Sequence, residues 1–195
     1  MTQLNNKTIA ILVADGFEQS ELLEPQKALE QAGARTQIVS PAEGQVKGWN
    51  ESDWGQTVPV DIPLQQANPD DYDALLLPGG VMNPDKLRVN PQAIAFVKAF
   101  FEAGKPDAAI CHGPWSLIEA DVVRGRTLTS WPAIQTDVKN AGGNWVDETV
   151  VVDNGLVTSR KPADIPAFNR KMIEEFAEGV HAGQARRTYA ADVYS

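Results

Sequence analysis

Three short runs of unbroken apolar residues restrict what this chain can fold into: "TIAILV" at 8–13, "ALLL" at 74–77 and "AAI" at 108–110. A strand with one wet face alternates apolar and polar residues. A run without alternation suits a strand covered on both faces, as in a parallel sheet between two layers of helices. Helical patterns lie between the runs. In "FEQSELLEPQKALEQAG" the residues Leu22, Leu23, Ala28, Leu29 and Ala32 form a stripe, with Pro25 expected in the first turn or at a kink and Gly33 as the stop. "NPQAIAFVKAFFEAGK" is the strongest helix, opened by Pro91 and closed by Gly104. "PWSLIEADVV", "PAIQTDVKNAGG" and "DIPAFNRKMIEEFAEGV" predict three more helices, the last with Asp164 as N-cap. "RTQIVS" and "RTLTSW" predict further strands, and "WVDETVVVDNGLVTSR" a strand pair turned at Asn154-Gly155. The Gly- and Trp-rich stretch 41–60 is an excursion with a small hairpin.

Alternating strands and helices predict an α/β sandwich, with a mostly parallel sheet and helices on both faces. The 195 residues suit one core: a single domain over 1–178, then a tail over 179–195 that is loose or docks on a neighbouring subunit. No apolar run approaches the ~20 residues that cross a bilayer, so no membrane partner is expected. The N-terminal run lacks a small-residue cleavage site and reads as a first strand. One cysteine permits no internal disulfide, and two histidines are too few for a metal centre, so no metal is expected and a reducing cytoplasm is the default. The net charge of −9, with Arg186 and Arg187 as the one notable basic cluster, argues against a nucleic-acid partner.

In open α/β sheets ligands bind beyond the C-terminal ends of the strands. Three such turns stand out. The first, "ADGFEQ", has one glycine where a dinucleotide fingerprint needs three, and no P-loop spacing occurs anywhere, so no nucleotide cofactor is expected. It leaves Glu18 near a helix start, read either as a carboxylate eased by the helix dipole or as a functional acid. The second, "LLLPGG", offers Gly79 and Gly80, whose N–H groups form either an oxyanion hole or a plain tight turn. The third, "AICHGP", sets Cys111 at a strand end with Gly113 two residues on, the outline of a nucleophile elbow. A helix aimed at the sulfur would lower the thiol pKa. The alternative is a small buried hydrophobe. Adjacent residues entering a helix point about 100° apart, so no direct bond between Cys111 and His112 is expected, and His112 needs a third group to orient it.

These residues resemble a known family. "AICHGP", "ALLLPGG", "ADGFEQSEL" and "VKNAGGNWVDETVVVDNGLVTSRKPADIPAFN", in that setting and spread over about residues 7–177, are similar to the PfpI family. That group holds intracellular cysteine proteases, stress proteins and deglycases within the class I glutamine amidotransferase-like superfamily. The resemblance implies a flavodoxin-like three-layer sandwich, with Cys111 as nucleophile and Glu18 as a largely protonated acid bonded to the sulfur. It implies that His112 is oriented by an acid from a neighbouring subunit, here Asp85, where hyperthermophilic members carry a glutamate. It implies a homo-oligomer, dimer or hexamer.

Three functions compete. The first is a deglycase or glyoxalase acting on methylglyoxal-type carbonyls or their protein adducts, with Gly80 and His112 N–H groups holding the oxyanion. The second is an intracellular cysteine peptidase, which uses the same thiol but needs a peptide groove. The third is a redox sensor or chaperone whose cysteine is oxidised without turnover. Glutamine amidotransfer is discounted, because the one late histidine, His181, has no acid just beyond it. The deglycase or glyoxalase reading leads.

Overall fold

A computed structural model describes residues 3–185. Arg186, Arg187 and most of the expected tail lie outside the described residues. In chain order the elements are β1 (Thr8–Leu12), β2 (Phe17–Glu18), α1 (Gln19–Gln31), β3 (Arg35–Ser40), β4 (Gln45–Asn50), β5 (Asp53–Pro59), β6 (Ile62–Pro63) and β7 (Ala74–Leu77). Then follow α2 (Met82–Arg88), α3 (Pro91–Glu102), β8 (Asp107–Ile110), α4 (Pro114–Glu119), β9 (Thr127–Leu128), α5 (Gln135–Asn140) and β10 (Asn144–Trp145). The described chain closes with β11 (Val150–Asp153), β12 (Leu156–Ser159) and α6 (Ile165–Glu178).

The main sheet has the order β11-β12-β8-β7-β1-β3-β6, and every pairing in it is parallel except that of β11 with β12. Side chains alternate across it. Ala10, Leu12, Leu75, Leu77 and Ala109 face a core with Phe96, Val97 and Phe100 of α3, Leu117 of α4 and Val138 of α5. Ile9, Ile11, Leu76, Ala108 and Ile110 face a second core with Leu22 and Leu29 of α1 and Phe168, Met172 and Phe176 of α6. The apolar runs are thus covered on both sides, and the three-layer α/β sandwich is as the alternation predicts.

Differences from the sequence reading have local causes. Pro25 sits inside α1, on its buried side, and neither opens the helix nor ends it. "RTLTSW" does not join the main sheet: β9 pairs with β10 in a separate two-stranded parallel ribbon. The excursion is an antiparallel hairpin, β4–β5, tied to β2 at Phe17 and Glu18. Asp164 stands at the N-cap of α6 but caps nothing with its side chain. Its carboxylate instead accepts from Arg160 Nε at 2.9 Å and Nη2 at 3.1 Å. Past α6 the chain folds back, with His181 N–H on the Gly104 carbonyl at 2.7 Å and Gln184 Nε2 on the Lys105 carbonyl. The start of the expected tail is therefore packed.

Candidate active site

β8 delivers Cys111 to the C-terminal edge of the sheet. The residue has φ +62°, the left-handed region, which an L-residue other than glycine occupies only when its surroundings hold it there. Three backbone bonds do so. Cys111 N–H donates to the Ser159 carbonyl of β12 at 3.0 Å, Gly113 N–H to the Ile110 carbonyl at 2.9 Å, and Trp131 N–H to the Cys111 carbonyl at 2.8 Å. Gly113 is required: a Cβ there would lie 2.7 Å from the Leu77 carbonyl oxygen. This is the strained elbow expected at "AICHGP".

The acid beside the sulfur is Glu21, which corrects the assignment of Glu18. The Glu21 carboxyl lies within hydrogen-bonding reach of the Cys111 thiol. Its Oε2 accepts from Gly79 N–H at 3.0 Å. Its Oε1 is buried with no hydrogen-bond partner of its own among the described residues. Glu18 is still in extended backbone, pairing with Trp49 in β4, and its carboxylate accepts from Ser20 Oγ at 3.3 Å. The helix begins only at Gln19, so its first inward-facing acid is Glu21, on a buried stripe with Leu22, Pro25 and Leu29. That stripe was the readable sign: an acid at an apolar position of an amphipathic helix.

The two glycines divide their work. Gly79 N–H belongs to Glu21 and is not an oxyanion donor. A Cβ on Gly79 would fall 2.4 Å from Glu21 Oε2 and 2.7 Å from Cys111 Cβ, so the turn packs directly on the site. Gly80 N–H lies within reach of both the Glu21 carboxyl and the sulfur, and the backbone N–H of His112 reaches the sulfur. Asn83, which the sequence reading passed over, staples two of the turns together: Oδ1 accepts from Ala14 N–H at 2.7 Å, and Nδ2 donates to the Pro78 and Gly79 carbonyls at 3.0 and 3.1 Å. Nothing in "GGVMNP" distinguishes it from a surface asparagine.

His112 also departs from expectation. Its Nδ1 lies 3.2 Å from Cys111 Sγ. The argument from helical spacing fails because Cys111 is left-handed and the helix starts only at Pro114. The imidazole is buried between two tryptophans, stacked on Trp131 and edge-on to Trp115. Asp85 is exposed in the first turn of α2 and makes no hydrogen bond to His112 within the chain.

Burial governs the electrostatics. It pushes the Glu21 carboxyl up to about 8, with the charge of Glu18 adding to the effect. It also pushes the Cys111 thiol up, and an ionised Glu21 adds to that, while the Gly80 and His112 N–H groups oppose it. Burial lowers His112. Near neutral pH the arrangement is thus a protonated acid, a thiol and a neutral imidazole. Burial and the neighbouring Glu21 oppose the thiolate expected from a helix aimed at the sulfur, and α4, with six residues, is short. The sulfur can lose its proton to Nδ1 as it reacts. Among the described residues one set of metal-ligating groups meets, Glu175, Glu178 and His181, and it belongs to the far end of α6 and the turn beyond.

The site can be set beside known proteins. The DJ-1/PfpI family model matches residues 7–175. Deglycase TK1284 of Thermococcus kodakarensis is 44% identical over 166 residues, covering 85% of this chain and 97% of that one. An uncharacterised protein of Staphylococcus aureus, SAV1875, is 44% identical over 172 residues, covering 87% and 98%. Among solved structures, Drosophila melanogaster DJ-1beta superposes with a TM-score of 0.80 at 26% identity, over 96% of this chain and 97% of that one. A two-domain Anabaena variabilis protein with DJ-1/ThiJ/PfpI-like and ferritin-like domains gives 0.82 at 33% identity. The match covers 95% of this chain, which spans about half (55%) of that protein. An elbow cysteine, an acid on the first helix and a glycine turn between them therefore sit in a chain that belongs to the DJ-1/PfpI family.

Proposed function

We propose that the protein is a cysteine-dependent deglycase or glyoxalase acting on methylglyoxal-type carbonyls or on their adducts with protein side chains. The observation that carries this reading is the grouping, on one enclosed elbow, of the Cys111 thiol, His112 Nδ1 at 3.2 Å and the Glu21 carboxyl. The deglycase name of the Thermococcus relative supports it. Cys111 is 7% exposed. A sulfur so enclosed suits a two- or three-carbon carbonyl better than an extended peptide, which weighs against the peptidase reading.

In the reaction Sγ bonds to the aldehyde carbon while its proton passes to His112 Nδ1. The carbonyl oxygen, gaining charge, is received by the N–H groups of Gly80 and His112 and takes the proton back from the imidazolium, giving the hemithioacetal. Glu21, neutral below about 8, carries a proton between the two carbon-bound oxygens of the hemithioacetal as the C1 hydrogen moves to C2. The product is a lactoyl thioester, which water cleaves to lactate, restoring the thiol. On a protein adduct Sγ bonds to the aminocarbinol carbon as its C–N bond breaks, the amine leaves with the proton taken up by Nδ1, and the hemithioacetal so formed follows the same course. As the family resemblance implies, Asp85 of a second copy is assigned to orient His112 from outside the chain.

Purified native protein and Cys111→Ser are assayed for lactate formed from methylglyoxal, and for casein cleavage. The expected result is lactate from the native protein alone. Casein cleavage without lactate would transfer the site to peptide hydrolysis. Ready oxidation of Cys111 with neither activity would make it a sensor.

A further inference from the structure

A cysteine and a histidine adjacent in sequence need something to hold the imidazole against the sulfur. A carboxylate commonly does this, and within the described chain no carboxylate bonds to His112: its side-chain hydrogen-bond partner there is Cys111 Sγ. What does touch it is aromatic. The Trp131 ring lies at 24° to the imidazole with centroids 6.1 Å apart, an offset stack, and the Trp115 ring meets it edge-on at 5.0 Å. Trp131, 37% exposed, is fixed through its backbone, and Trp115 through its ring. Trp131 donates its backbone N–H to the Cys111 carbonyl, and its own carbonyl accepts from Ser130 Oγ, which in turn accepts from Trp145 Nε1. Trp115 Nε1 donates to Asp137 at 2.9 Å, and Arg88, 3.8 Å from Glu119, covers its ring. The charged groups nearby thus act on Trp115, whereas on the sulfur side Cys111 meets the imidazole and Glu21 lies beyond the sulfur.

We propose that Trp131 is a positioning residue: its indole, hung on the same loop that holds the Cys111 backbone, sets the plane of His112 so that Nδ1 faces the sulfur. Trp115 closes the second side. One loop therefore aligns nucleophile and base together, by a backbone bond to one and a ring contact to the other. The inference rests on the proposed chemistry at Cys111, but its test does not.

The chain has two histidines, so the ring signals of His112 can be titrated by NMR with His181 as internal control. Three variants, Trp131→Phe, Trp131→Leu and Trp131→Ala, all keep the backbone N–H that holds Cys111. In Trp131→Ala the uncovered imidazole is expected to titrate at higher pH, nearer the ordinary histidine value, with the His181 signals unmoved. Turnover of methylglyoxal should fall roughly ten- to a hundredfold in kcat with KM within about twofold, the mark of lost alignment. Phe restores most of both; Leu, which keeps bulk without a flat ring, behaves as Ala. A His112 titration identical in native and Ala proteins overturns the inference, and so does a Leu variant that matches Phe. If the native protein makes no lactate, the proposed function fails while the titration still decides the role of Trp131.

Discussion

With its carboxyl enclosed and one oxygen held by Gly79 N–H, Glu21 stays neutral up to about pH 8, well above an unfolded glutamate at 4.5. Between those values the folded protein binds a proton that the unfolded chain has released. Stability contributed by this group is therefore full below about 4.5 and falls as pH rises through 8. Glu21→Gln removes that slope, an effect on the order of a few kcal/mol across the window, measurable as urea midpoints at pH 5 and pH 8. The same variant cannot shuttle a proton, and lactate formation should drop about a hundredfold. Whether a residue of this site could be read from the sequence depended on scarcity. Cys111 and His112 are conspicuous because the chain has one cysteine and two histidines. Glu18 and Glu21 differ by three positions among 26 acids, and only the start of α1 decides which of them reaches the sulfur.

The turn after β7 shows how closely elements share space around the elbow. Adding a methyl group at Gly79 would strike both the Glu21 carboxyl and Cys111. Gly79→Ala is expected to cost about 1–3 kcal/mol by overpacking and to abolish activity, which denaturant midpoints and the lactate assay would show separately. At the other edge, Arg160 forks onto Asp164 and reaches Asp147 at 2.8 Å. Asp164 is 3% exposed, so Arg160→Leu strands a buried carboxylate and should cost about 2–3 kcal/mol, seen as a lowered Tm. The main strands were legible because buried runs do not alternate. The fate of "RTLTSW" was not: β9 is a two-residue strand, and tertiary pairing with β10 outweighs a local pattern that short.

Among the described residues two acids, Glu21 and Asp107, have no exposed surface at all, one at each end of the sheet. Asp107 opens β8 at the end away from the elbow, fully buried, with the Ala108 N–H and Arg126 as the groups that favour its charge. Burial raises its pKa well above the ordinary value, with Arg126 opposing. The sign is that of Glu21 and opposite to that of His112, and the two acids together should make the fold more stable at pH 5 than at pH 8. Asp107→Asn should flatten part of this dependence, and the double variant with Glu21→Gln most of it, as equilibrium unfolding at the two pH values would report. No helix among the described residues is long and apolar enough to cross a membrane.

The bond from Cys111 N–H to the Ser159 carbonyl ties the elbow to a strand translated nearly fifty residues later. While the chain is still emerging from the ribosome, the thiol has no floor beneath it and behaves as any solvated cysteine does. A product released early, before β12 can dock, carries an ordinary cysteine without the aligned groups around it, so the assembled site arrives only with the last strands of the sheet.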